Sequence, residues 1–144
     1  MEQSLEFFSQ EIEFTLDKED SVRDWILFVI DSYDKKVSQI NYIFCSDDYL
    51  LELNRTHLQH DYYTDILTFP YAPAGVEELI SDIYISIDRV KDNAHSYELP
   101  FIDELHRVMI HGALHLIGFD DHGDAAKKEM SAKEDMALAQ RKFL

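Results

Sequence analysis

Ile80-Ser81-Asp82-Ile83-Tyr84-Ile85-Ser86-Ile87 is the segment on which the reading of the fold turns. Ile83, Ile85 and Ile87 fall on one side of an extended chain, and Asp82, Tyr84 and Ser86 on the other. That period of two marks a strand packed on one face. Upstream, residues 66–71 form another strand candidate, separated from the first by the turn-like Ala72-Pro73-Ala74-Gly75. Residues 37–45 make a third, and residues 11–16 alternate as the first strand of the chain, with Ile12, Phe14 and Leu16 on one face. Helices fill the intervals. Asp17 can cap one from Lys18 to about Tyr33, with Val22, Trp25, Ile26, Val29 and Ile30 as its apolar stripe. Ser46 caps a second, to about Thr56, with Tyr49, Leu50 and Leu53 inward. Downstream, residues 88–97 read as a short helix ended by Pro100. Asp103 caps a long helix ended by Gly118, and Asp124 caps a last one to about Lys142. This order predicts an α+β fold, a single mixed β-sheet of about four strands with packed helices.

At 144 residues the chain is expected to be one domain, residues 1–144, around a single core. Apolar residues make up 46%, and only 4 glycines and 3 prolines argue against disorder. Met1-Glu2-Gln3-Ser4-Leu5-Glu6 is acidic and mixed, so no secretory leader is expected, and no apolar run approaches bilayer length. Cys45 is the lone cysteine; between Phe44 and Ser46 it reads as a buried strand thiol, and a disulfide framework is excluded. Cytoplasmic residence is the expectation. The formal charge of −16 opposes non-specific binding to phosphate backbones. It leaves room for a nucleic-acid substrate where a metal ion supplies local positive potential.

The chemistry concentrates in His111-Gly112-Ala113-Leu114-His115-Leu116-Ile117-Gly118-Phe119-Asp120-Asp121-His122. Histidines four apart share a helix face, about 40° apart around the axis. Gly118 then lets the chain return and bring a third ligand to the same ion. The spacing resembles the long zinc-hydrolase pattern H-x-x-x-H-x-x-G-x-x-H, with Asp121 at the third ligand position. His122, one residue later, is the alternative; spacing favours Asp121. Three protein ligands of this kind, His111, His115 and Asp121, suit one catalytic Zn²⁺ with a fourth position left to water, whose pKa the ion lowers to about 7. Asp120 reads as a loop carboxylate or as one that supports the site by holding an imidazole N–H. Gly112 stands where an H-E-x-x-H peptidase carries its glutamate base, which argues against peptide cleavage. Asp65 and Asp82 read as local capping groups before water-orienting ones. Arg55, His57 and His60, and the aromatic Tyr62, Tyr63 and Tyr71, read as ordinary surface and packing residues before RNA contacts. His95 and His106 are expected to face solvent.

From Leu53 to about Met130 the sequence resembles the YbeY family of rRNA maturation factors in three blocks. They are Leu53-Asn54 followed by Thr64-Asp65-Ile66-Leu67-Thr68-Phe69-Pro70, then Ser81-Asp82-Ile83-Tyr84-Ile85-Ser86, then His111 to Asp121. The resemblance implies a single-strand-specific, metal-dependent endoribonuclease that matures the 3′ end of small-subunit rRNA and serves ribosome quality control. It carries the ligand role directly to His111 and His115. The family's third histidine aligns with Asp121, and its arginine four residues after the asparagine aligns with Leu58. The alternatives are a non-catalytic ribosome-assembly factor with a structural zinc, bound to basic ribosomal proteins or an assembly GTPase, and a small zinc metallopeptidase.

Overall fold

The computed structural model describes residues 3–73 and 76–144. The expected turn at residues 72–75 therefore falls partly outside the described residues. Nine elements follow in the order β1 (Ser4–Gln10), α1 (Glu19–Asp31), β2 (Lys36–Cys45), α2 (Asp47–Leu58), β3 (Ile66–Pro70), β4 (Glu78–Ser86), α3 (Ile87–Ser96), α4 (Phe101–Ile117) and α5 (Asp124–Ala139). The strands form one sheet in the order β1-β2-β4-β3. β1, β2 and β4 run parallel, and β3 returns antiparallel to β4, Leu67 opposite Tyr84 and Phe69 opposite Asp82. The sheet is mixed and the class α+β, as the sequence predicts.

Side-chain alternation gives the sheet two buried faces. Ile40, Tyr42 and Phe44 of β2 join Ile83 and Ile85 of β4 beneath α1 and α4. On the reverse face Cys45 and Leu67 pack with Leu50 of α2, flanked by Phe69 and Tyr84. Burial among these groups pushes the Cys45 thiol up to about 12, as befits a packing residue. α4 runs through the centre, and the Tyr42 hydroxyl donates to the Met109 carbonyl at 2.8 Å, fastening that helix to β2. Gly112 is the point of closest approach: a Cβ there would stand 2.9 Å from Ile66 Cδ1 and 3.3 Å from Ile83 Cγ2. The glycine lets α4 lie directly on the sheet.

Several boundaries differ from the sequence reading. Residues 11–16 are not a strand; β1 lies earlier, and Glu11 with φ 64° turns the chain out of it. Ile12, Phe14 and Leu16 nevertheless pack on the core, so the alternation reported burial without sheet pairing. The Ser9 hydroxyl ties this segment back by donating to the Phe14 carbonyl at 2.6 Å. α1 starts after Lys18 in the left-handed region, with no side-chain cap from Asp17. Ser46 caps α2 as expected, its Oγ accepting from the Tyr49 N–H at 3.1 Å. Ile87 opens α3, because Ser86 Oγ accepts from the Arg89 N–H and ends the strand one residue sooner. α4 begins directly after Pro100, ahead of Asp103, and α5 stops at Ala139. No helix among the described residues is long and apolar enough to cross a membrane.

Candidate metal centre

α4 supplies two donors and its return loop a third. Leu105, Val108, Met109 and Leu116 anchor the helix in the core, which leaves His111 and His115 half-buried on its outer stripe. Gly118 takes φ 124°, a value that other residues rarely adopt, and turns the chain. Asp120 Oδ1 then accepts the N–H groups of Asp121 (2.7 Å) and His122 (3.1 Å), a local turn that aims Asp121 back at the helix. Asp121 Oδ2 lies 3.5 Å from Nε2 of both His111 and His115. Zinc with bonds of about 2.0–2.1 Å in a tetrahedron separates its ligand atoms by about 3.3 Å, so these donors fit one such ion. The side chain of His122 is 90% exposed and stands apart from the pair. The loop brings Asp121, not His122, to the imidazoles.

Glu134 of α5 was not anticipated. Its Oε2 lies 2.7 Å from His111 Nδ1. A carboxylate only accepts, so Nδ1 carries the proton and Nε2 presents its lone pair toward Asp121 and His115. Arg107 holds Glu134 in turn, donating to Oε1 at 2.9 Å and to Asp135 at 2.8 Å. Of the two roles expected for Asp120, loop carboxylate or support for an imidazole, it takes the first. The signal for Glu134 lay in the sequence: it falls between Met130 and Ala137 on the buried stripe of α5, a carboxylate where an apolar residue belongs. Burial opposes charge on His111, yet the Glu134 hydrogen bond and the charges of Glu134, Asp121 and Asp65 raise its pKa above the ordinary value. Glu134→Ala is expected to weaken zinc binding about 10–100-fold, read by competition against a chromogenic chelator.

Two clefts meet at this point. One, of about 490 Å³, runs past Asp65, Glu104, Arg107 and His111. The other, about 610 Å³, lies between β3 and the segment after α2 and includes His60, Tyr62, Thr64 and His115. Leu58, at the place of the family arginine, lines the second, while Arg55 is held by Asp61 at 2.5 Å on the surface. Tyr62 stacks on His60 with ring centres 5.2 Å apart, and Tyr71 donates to Asp82 at 2.7 Å. Burial raises the Asp65 pKa above the usual carboxylate range, although the nearby His111 pulls it down. Asn93 donates to Asp65 at 3.4 Å.

Glu104 is 4% exposed, and its Oε1 has no hydrogen-bond partner. Burial, and then the charge of Asp65, push its carboxyl up to about 7, against the pull of Arg107. Between its ordinary 4.5 and that value the folded protein holds more protons than the unfolded chain, so the stability from this group falls as pH rises through that window. Glu104→Gln is expected to raise the melting temperature at pH 8 and leave it nearly unchanged at pH 4, by scanning calorimetry. His95 is exposed, as expected. His106 is not: it is 1% exposed against Trp25 and Phe143, its Nδ1 accepting from Arg141 at 2.8 Å. Burial and the Arg141 charge lower its pKa to about 4.

The chain is similar to known proteins over nearly its whole length. The family described as endoribonuclease YbeY matches residues 5–142. An endoribonuclease YbeY of Cytophaga hutchinsonii is 44% identical over 142 residues, covering 99% of each chain. One of Phocaeicola vulgatus is 49% identical over 122 residues, 85% of this chain and 87% of its own. The solution structure of a Thermotoga maritima protein superposes with a TM-score of 0.66 at 28% identity, covering 93% of this chain and 86% of that one. With a match across nearly its whole length and relatives of this similarity, the chain belongs to the endoribonuclease YbeY family.

Proposed function

We propose that this protein is a zinc-dependent endoribonuclease of the bacterial cytoplasm, cutting single-stranded RNA and acting in small-subunit rRNA 3′-end maturation. His111, His115 and Asp121 hold the ion, and the sequence likeness supports an RNA substrate. The observation that carries the reading is the convergence of two Nε2 atoms on one Asp121 oxygen where two open clefts join. An ion bound there would polarise a phosphoryl oxygen and acidify a water. The chain's own residues do the rest. Glu134 fixes the His111 tautomer, and the Asp120 turn keeps Asp121 in reach. Asp65 borders both clefts beside His111, and its raised pKa suits it to accept a proton. The −16 charge leaves the ion as the local attractor for the phosphodiester. A peptidase reading lacks its base, since position 112 is a glycine.

The deciding experiment offers purified protein a single-stranded RNA and the same strand in duplex. Cleavage of the single strand alone, abolished by a chelator and restored by zinc, is the expected result. Cleavage that survives chelation, or casein cleavage without RNA cleavage, overturns the proposal.

A further inference from the structure

The cleft on the α5 side of His111 has a chemistry that a phosphodiester backbone does not match. Its walls carry Asp65, Glu104 and Glu134, and its one guanidinium, Arg107, is engaged by Glu134 and Asp135. Such a wall repels phosphate. A second cation is no better occupant. Among the described residues the donor sets that converge within 4.8 Å are His111–His115–Asp121 and Asp120–Asp121–His122, and neither includes Glu104. Among the groups lining the cleft is the Glu104 carboxyl, in a residue 4% exposed, whose buried Oε1 has no hydrogen-bond donor. At its mouth stand Tyr97 and Leu99, 62% and 41% exposed, apolar surface beside a polar floor. A flat ring with N–H donors on its edge meets both requirements, and a volume of about 490 Å³ falls in the range of about 300–1,000 Å³ usual for small-molecule sites.

We propose that this cleft is a base-specific subsite that takes a guanine of the RNA, with Glu104 accepting from its donor edge and Tyr97 and Leu99 covering its ring. The choice among bases follows from their donors. Guanine presents N1–H and the 2-amino group side by side, which a carboxyl can accept as a pair. Adenine and cytosine place a lone amino group beside a ring acceptor, and uracil a single N–H between two carbonyls. Tyr97 adds stacking of the kind that single-strand binders use. The cleft shares His111 and Asp121 with the metal centre, so the recognised base belongs to a nucleotide next to the scissile bond. This rests on the nuclease reading for its substrate, but base binding can be measured without cleavage.

The test titrates purified protein with guanosine, inosine and adenosine 5′-monophosphates, observed by NMR, and compares wild type with Glu104→Gln. The expected result is that the guanosine nucleotide shifts the Tyr97 and Leu99 amides and binds about tenfold or more tightly than the inosine nucleotide, which lacks the 2-amino group. In Glu104→Gln the ratio falls toward one. Equal binding of all three nucleotides by wild type, or a ratio untouched by the substitution, overturns the subsite. In parallel, kcat/KM is compared for short RNAs that differ only by guanine or inosine at one position. Cleavage without discrimination removes the subsite and leaves the nuclease reading intact. Guanine-selective binding in a protein that cuts no RNA does the reverse.

Discussion

His111→Ala protein is expected to fold, to purify with far less than one zinc per chain, and to cleave single-stranded RNA more than about 10³-fold more slowly than wild type. The substitution removes one of the three metal-binding groups and the N–H that donates to Glu134. Glu134 keeps Arg107 at 2.9 Å, so no buried carboxylate is stranded and the fold changes little. Elemental analysis and circular dichroism on the same sample separate lost metal from lost structure. Asp121→Ala should behave likewise, whereas His122→Ala, altering a side chain 90% exposed, should keep stoichiometric zinc. Zinc lost from His122→Ala and retained by Asp121→Ala would refute the assignment of the third ligand. A His111→Ala protein with full activity would remove the metal centre from catalysis altogether.

Trp25→Ala should be the most damaging substitution outside the site. The indole is 4% exposed, lies tilted against His106 at 5.4 Å and edge-on to Phe143 at 6.2 Å, and donates to the Ala137 carbonyl at 2.8 Å. Truncation leaves a large void, a loss of about 3–5 kcal/mol, while the Ala137 carbonyl keeps the Gln140 N–H at 3.0 Å. For a chain of this size that corresponds to a fall of roughly 10 °C or more in melting temperature. Trp25→Phe keeps one ring but loses the rest of the indole with its N–H, so its cost should be smaller, about 1–3 kcal/mol. Ala137 lies three residues beyond Glu134 on α5, so Trp25→Ala is also expected to weaken zinc binding through the loosened helix. Stability and metal affinity that stay at wild-type values would sink this account.

The parts of the molecule readable from sequence are those decided by neighbours along the chain. The His111–His115 pair, the Ser46 cap, the alternation in β2 and β4 and the Gly118 stop are local patterns with local causes. The reading of residues 11–16 failed because alternate burial does not require a pairing partner; a coil pressed on a core produces the same pattern. His106 was misplaced because its burial is set by Trp25 and Arg141, far off in the chain, which no helical period reports. Glu134 and Glu104 share one overlooked signal, a carboxylate on an otherwise apolar stripe: Glu134 between Met130 and Ala137, Glu104 beside Leu105 and Val108. Such a residue lowers stability unless something charged or polar meets it, and both lead to the clefts. Spacing favours Asp121 over His122 as third ligand, and the Asp120 turn brings the Asp121 side chain to the imidazoles.

The three donors differ in how firmly they are mounted. Two ride on a helix locked beneath the sheet; the third hangs from a short loop that follows Phe119, itself held by the Leu114 carbonyl and the Tyr33 ring, and that is turned by one neighbouring carboxylate. The easiest path for an ion to leave or enter is therefore a swing of residues 120–122, a movement that leaves Phe119 and the contacts of α4 in place. Exchange of an ion held there would then be uncoupled from global unfolding, and the protein would trade one divalent cation for another on the timescale of loop motion while its scaffold stays intact.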